Sequence, residues 1–182
     1  DLKPSNILVG MAEGQAQAKV IDFGIAKATG RSLTDKTIFT ARGMLIGTPA
    51  YMSPEQACGD PVDHRTDVFS CGIVLYELLV NHRLFQDPDP EVKLRLVKEA
   101  IVPDPREEVP EIPERLWTIL QHTLARDRED RYPTASALEE DLRAFLFEAG
   151  LRGDEAVMGA FMRALFVEDI QPDAAAEQVS DL

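Results

Sequence analysis

The chain has 182 residues, 45% of them hydrophobic and 28% charged, which fits one globular domain or a large part of one. Its net charge of −13 speaks against nucleic acid or an anionic membrane surface as a main partner. No apolar run approaches the roughly 20 residues of a membrane span, and no basic segment followed by an apolar one marks a secretion signal.

The first residue is Asp1 rather than Met, so the sequence reads as a piece of a longer chain. Cys58 and Cys71 fit neither a disulfide framework nor metal spacing. They indicate a reducing, cytoplasmic setting, with Cys71 in an apolar helical run as a buried thiol. His64, His82 and His122 are scattered, and none sits at metal-ligand spacing.

In chain order, Asn6–Val9 is a short apolar run, residues 10–17 read as a turn, and Lys19–Ile21 as a returning strand, a hairpin that leads into Asp22. Residues 25–52 carry Thr, Ser, Gly, Lys and Arg without periodicity and read as a long surface loop. Ser53 caps a short helix with Pro54 in its first turn. Residues 66–80 form the most apolar stretch, a helix buried on most sides, with Thr66 as N-cap and Asp67 in the first turn. Asn81 and His82 end it.

An amphipathic helix follows over Glu91–Ile101, then a Pro-rich stretch. Glu114–Ala125 is the next helix, with Leu116, Ile119, Leu120 and Leu124 on one face. After a polar connection, Thr134 caps a helix to about Glu148 that turns Leu138, Leu142, Phe145 and Leu146 inward and stops at Gly150. Residues 154–166 form one more amphipathic helix, which either packs on the body of the chain or docks another domain. The small, polar, acidic last dozen residues read as a disordered tail.

The chemistry-bearing residues cluster in four places. Asp1, Lys3 and Asn6 open the chain, and Asp22-Phe23-Gly24 follows sixteen residues after Asn6. Gly47-Thr48-Pro49-Ala50-Tyr51-Met52-Ser53-Pro54-Glu55 comes next, and Arg131 lies in a charged run much further on. Asp1 and Asp22 carry carboxylates and Asn6 an amide oxygen, all hard oxygen donors. Gly24 permits backbone angles that a side chain forbids.

At this order and spacing, residues 1–148 resemble a Hanks-type protein serine/threonine kinase, and the bacterial members most of all. The resemblance implies an α+β, mainly α-helical fold: a kinase C-terminal lobe with a small β-hairpin and about six helices around the buried 66–80 helix. The ATP-binding N-terminal lobe of the family would precede Asp1. Three parts follow: the lobe over 1–148, an amphipathic helical extension over 149–170 and an acidic tail over 171–182.

The resemblance also implies roles. Asp1 orients the substrate hydroxyl and accepts its proton, and Lys3 stabilises the transferring phosphoryl group and marks serine/threonine specificity. Asn6 and Asp22 hold Mg²⁺ on ATP, and Phe23 packs beneath the site. Thr48 hydrogen-bonds Asp1 and Lys3. Glu55 forms a buried ion pair with Arg131, and Asp67 accepts hydrogen bonds from the catalytic-loop backbone. Thr37 and Thr40 are the best phosphorylation candidates in the activation loop, where a phosphate would order the segment against basic groups.

The implied cofactors are ATP and Mg²⁺, the implied partners protein substrates bearing Ser or Thr and the missing N-lobe, and no nucleic acid or membrane is indicated. By itself the chain is expected to be inactive and to expose apolar surface that the missing part covers. The alternatives are a non-catalytic pseudokinase or scaffold, and a small-molecule kinase of the same superfold. The run from Thr48 to Glu55 and Lys3 speak against the latter.

Overall fold

The computed structural model describes residues 2–12, 15–22, 49–153 and 155–166. Asp1, Phe23, Gly24, Thr37, Thr40 and Thr48 lie outside the described residues. A 3-10 turn at Pro4–Asn6 leads into β1 (Ile7–Ala12), which pairs antiparallel with β2 (Gln15–Val20). Both strands are longer than the apolar runs suggested, because the ladder carries Gly10, Gln15 and Gln17, which have little strand preference of their own.

Side chains alternate across this hairpin with the period of two that a pleated strand imposes. Ile7, Val9, Met11 and Ala16 lie on the more covered face, while Leu8, Gly10 and Lys19 are exposed.

Six α-helices follow among the described residues: α1 (Pro54–Cys58), α2 (Arg65–Val80), α3 (Pro90–Glu99), α4 (Glu114–Thr123), α5 (Ala135–Glu148) and α6 (Glu155–Leu165). The centre is α2, whose Phe69, Ile73 and Tyr76 pack with Tyr51, Phe85, Val97, Trp117 and Leu120. On its other side Val68 joins Ile119, Leu116, Leu138 and Phe145 from α4 and α5. Residues of α2 thus enter two clusters, which is why its apolar residues show no single stripe. The α4 crossing needs Gly72, since a Cβ there would lie 2.7 Å from Thr123 and 2.8 Å from Leu124.

The caps agree with the sequence at α1 and α5. Ser53 accepts from the Gln56 amide at 3.3 Å while the Gln56 side chain accepts from the Ser53 amide at 3.0 Å, a full capping box. Thr134 accepts from the Ala137 amide at 3.1 Å. Asn81 closes α2 in the left-handed conformation, and Gly150, at φ 65°, follows α5.

At α2 the expectation fails. His64 occupies the N-cap without a side-chain cap bond, and Thr66 lies inside the helix with its hydroxyl turned to Glu55. The Arg65 amide is taken by Asp63 instead, at 2.8 Å.

Helix α6 packs against β2 of the hairpin, in which Ala16 is buried. Its Val157, Phe161 and Leu165 remain exposed. Leu78 on α2 and Phe147 on α5 are 76% and 86% exposed. A groove of 630 Å³ runs between these helices past Leu75, Leu142 and Leu146. Cys71 borders it, half-buried rather than enclosed, with burial pushing its thiol pKa up. Among the described residues no helix is long and apolar enough to cross a membrane.

Candidate active site

The site grows from the open end of the hairpin. Lys3 is extended, and its carbonyl accepts from the Asn6 amide at 2.9 Å, closing the 3-10 turn. The Asn6 carbonyl then accepts from the Ile21 amide at 2.9 Å, continuing the ladder one step past Ile7 and Val20. Asn6, whose residue is buried, therefore faces the residue that precedes Asp22. Two residues sixteen apart in sequence are placed at one hairpin end, with Lys3 a turn away.

The donor chemistry at this end fits a hard cation. An amide oxygen and a carboxylate are oxygen ligands, and two protein ligands suit Mg²⁺, which keeps waters and phosphate oxygens in the rest of its shell. One contributor had no counterpart in the sequence reading. Leu8, two residues beyond Asn6 on the open face of β1, is 54% exposed and lines a 330 Å³ recess with Gly10 and Ile21. No strand period links it to Asn6, which lies in the 3-10 turn before β1 and is buried.

A second group of the residues singled out in the sequence lies in the segment from Pro49 to Glu55, a 3-10 turn followed by α1. Five-residue helices are not stable by themselves, so its position is set by tertiary bonds. Glu55 and Arg131 form the ion pair expected from the sequence: two parallel bonds of 2.8 Å across 76 residues, with the Arg131 side chain fully buried. Every donor of Arg131 is used. Nε reaches the Ala125 carbonyl at 2.8 Å, and the terminal nitrogens also reach the Arg126 and Arg65 carbonyls. The guanidinium lies 4.7 Å above the Phe69 ring.

Thr66 adds a 2.7 Å bond to Glu55. Burial alone would raise the Glu55 pKa. The hydrogen bonds from Arg131 and Thr66 outweigh it and hold the carboxyl at about 2.

Tyr51 fixes the other end. Its carbonyl accepts from Ser70 at 3.0 Å, and its hydroxyl donates to Glu77 at 2.6 Å and accepts from Arg83, whose guanidinium lies 5.1 Å over the ring. Burial, followed by the Glu77 carboxylate, pushes the Tyr51 phenol up to about 12. Nothing in the local sequence pointed to this triad, because its members come from three separate segments.

The expected bonds of Asp67 to the catalytic-loop backbone involve the region at and before Asp1, outside the described residues. Asp67 sits in the first turn of α2, where a carboxylate suits the helix dipole, and it is exposed. Among the described residues no group donates a hydrogen bond to its carboxylate. Thr48 and Asp1 lie outside the described residues, and the expected bonds from Thr48 to Asp1 and Lys3 with them. None of the histidines gathers with others: His64 meets the Pro133 carbonyl, His82 meets Glu108, and His122 lies edge-on to Tyr132.

The comparisons agree with this arrangement. The family model for the protein kinase domain matches residues 1–142. The tyrosine-protein kinase MasK of Myxococcus xanthus is 41% identical over 170 residues, which is 93% of this chain and 25% of that protein. The serine/threonine-protein kinase PknB of Mycobacterium leprae is 40% identical over 143 residues, 78% of this chain and 22% of that protein. PkaA of Streptomyces coelicolor, also a serine/threonine-protein kinase, is 32% identical over 179 residues, 98% and 31%. The chain thus spans no more than a third of the length of these curated relatives. By the extent of these matches, the chain belongs to the protein kinase domain family, in the Hanks-type group represented by bacterial kinases.

Proposed function

We propose that the protein containing this chain transfers the γ-phosphoryl group of ATP to Ser or Thr hydroxyls of other proteins, and that residues 1–148 are the C-terminal lobe of its kinase domain. The observation that carries this reading is the Asn6–Ile21 backbone bond. It supports a shared cation site by setting the Asn6 amide and the Asp22 carboxylate at one end of the hairpin.

In this reading Asp1 accepts the proton of the substrate hydroxyl as its oxygen bonds to the γ-phosphorus. The bond from that phosphorus to the bridging oxygen breaks, and ADP leaves. Lys3 steadies the negative charge on the transferring group, and Thr48 holds Asp1 and Lys3 in place. Asn6 and Asp22 hold Mg²⁺, which neutralises phosphate charge when bound. Leu8 and Ile21 offer apolar surface to the adenine ring. The catalytic power lies in positioning and charge stabilisation. Thr37 and Thr40 are the residues whose phosphorylation would order the loop before Thr48. The free thiols Cys58 and Cys71 support a cytoplasmic site of action.

A tyrosine acceptor is the second reading, favoured by one observation, the 41% identity to a protein named a tyrosine kinase. Lys3 favours Ser or Thr. The test uses the full-length protein with labelled ATP and phosphoamino acid analysis of its products. Label on Ser or Thr that disappears in an Asp1→Asn variant is the expected result. Label on Tyr alone moves the acceptor class to the second reading. Undiminished transfer by Asp1→Asn overturns the assignment of the base.

A further inference from the structure

A recess of 490 Å³ lies beside the Pro49–Tyr51 turn, between residues 83–88 and the first turns of α3. Ala50 belongs to the run from Gly47 to Glu55, which the kinase reading above assigns to the substrate side of the site. The apolar wall of the recess is Ala50, Phe85 and Pro88, and two cations, Arg83 and Lys93, line it with one carboxylate, Asp87.

The cations are arranged differently. The Arg83 side chain is half exposed yet fixed, stacked over Tyr51, bonded to its hydroxyl and 3.9 Å from Glu77. Glu77 is itself occupied by the Tyr51 hydroxyl at 2.6 Å and the Leu84 amide at 3.2 Å. Its side chain is only 10% exposed, so it sits behind Arg83 rather than in the recess. Lys93 pairs with no carboxylate among the described residues. Asp87 is engaged by the Asp89 amide at 2.8 Å. In a chain with 32 acidic and 19 basic side chains, two cations converging on one concavity is an unusual local excess of positive charge.

We propose that this recess receives an acidic side chain of the protein substrate, near the residue phosphorylated, with Arg83 as the preorganised contact and Lys93 as the adaptable one. The inference rests on the kinase reading above and names the substrate class for that same site. An Arg held by stacking loses little freedom on binding a carboxylate, and its remaining N–H groups suit that geometry. The apolar wall would exclude water around the pair and strengthen it.

The test uses the full-length protein and an oriented peptide library with Ser or Thr fixed and each flanking position set to Glu, Gln or Lys. At one or two flanking positions, Glu is expected to lower KM by about three- to tenfold relative to Gln, with kcat unchanged. Lys93→Glu, a change on the surface of α3, should turn that preference toward Lys. Arg83→Gln should erase it. A purely structural role of Arg83 would lower kcat and thermal stability for all peptides alike, and Lys93→Glu would then leave the preference intact. Phosphorylation of all peptides equally, or an unaltered Glu preference in Lys93→Glu, overturns the recess while leaving phosphoryl transfer standing. Absence of any phosphorylated product overturns the kinase reading and the recess with it.

Discussion

Replacing Arg131 by Met should loosen the Pro49–Glu55 segment more than any surface change could. The side chain is fully buried and makes two 2.8 Å bonds to Glu55 and three to backbone carbonyls. Met fills much of the same volume without a charge, so the loss is of the pairing and not of a large cavity. Removing one partner of a buried pair costs about 3–5 kcal/mol.

A second route gives a similar figure. Glu55 falls from an ordinary value of 4.5 to about 2, which corresponds to about 3 kcal/mol favouring the ionised carboxylate in the fold. The sign follows. A depressed carboxyl pKa contributes stability that is fully present above 4.5 and lost as pH falls toward 2. In the Met variant burial acts unopposed by Arg131, and protonating Glu55 becomes favourable. The gap between variant and wild type should therefore narrow as pH falls from neutral into that range.

The assay is hydrogen exchange at the amides of α1 and the start of α2, in the full-length protein. Opening should rise by about a hundredfold or more at neutral pH. Arg131→Lys, which keeps the charge and loses the two-pronged geometry, should fall between. A rise below about tenfold, or a gap that does not change with pH, would refute the reasoning.

Three further outcomes are expected. Gly72→Ala should destabilise by about 1–3 kcal/mol through overpacking, read as a lower Tm, because its Cβ would sit 2.7 Å from Thr123. The His82 imidazole pKa is raised, first by its bond to the Arg83 carbonyl and then by Glu108. An NMR titration should place its midpoint above the ordinary 6.5, and Glu108→Gln should lower it. The small stability it adds is present at low pH and lost as pH rises through that midpoint. The 182-residue chain by itself should bind a hydrophobic dye, since Leu78 stands largely exposed and so does Phe147, which lines an apolar groove. A cooperative, dye-silent chain would count against this.

What could be read in advance follows from how far apart the cause and its effect lie in the chain. The capping box at Ser53 is decided within four residues, and Ser53-Pro54-Glu55-Gln56 carries all of it. Asn6 and Asp22 belong to one hairpin, so a short apolar run on each side was enough to bring them together. The Glu55–Arg131 pair spans 76 residues and was legible only through the family resemblance. Thr66 shows the opposite case. Local preference makes a Thr ahead of an apolar run a cap, but a buried carboxylate eleven residues upstream claims its hydroxyl. Helix α6 showed its apolar stripe in the sequence, yet a stripe does not say what it packs on, and β2 could not be chosen without coordinates. Tyr51, Glu77 and Arg83 carried no pattern at all, because a polar triad drawn from three segments has no period.

The hairpin end and the Pro49–Glu55 segment are held by different physics, and this bears on how the proposed kinase activity could be controlled. The hairpin end is set by backbone ladder bonds, which any sequence of strand character would make. The Pro49–Glu55 segment is too short to hold itself and is fastened by side chains of the helical core: Ser70 on the Tyr51 carbonyl, Glu77 on its hydroxyl, Arg131 on Glu55. A buried ion pair contributes little net stability over an apolar pair of the same volume. Its value here is direction, because a two-pronged bond accepts one placement of α1, whereas an apolar contact would tolerate several. The core thus fixes the Pro49–Glu55 segment at both of its ends. A phosphate at Thr37 or Thr40, as proposed above, would therefore act against a stationary anchor, since shifting α1 would require breaking the buried Glu55–Arg131 pair.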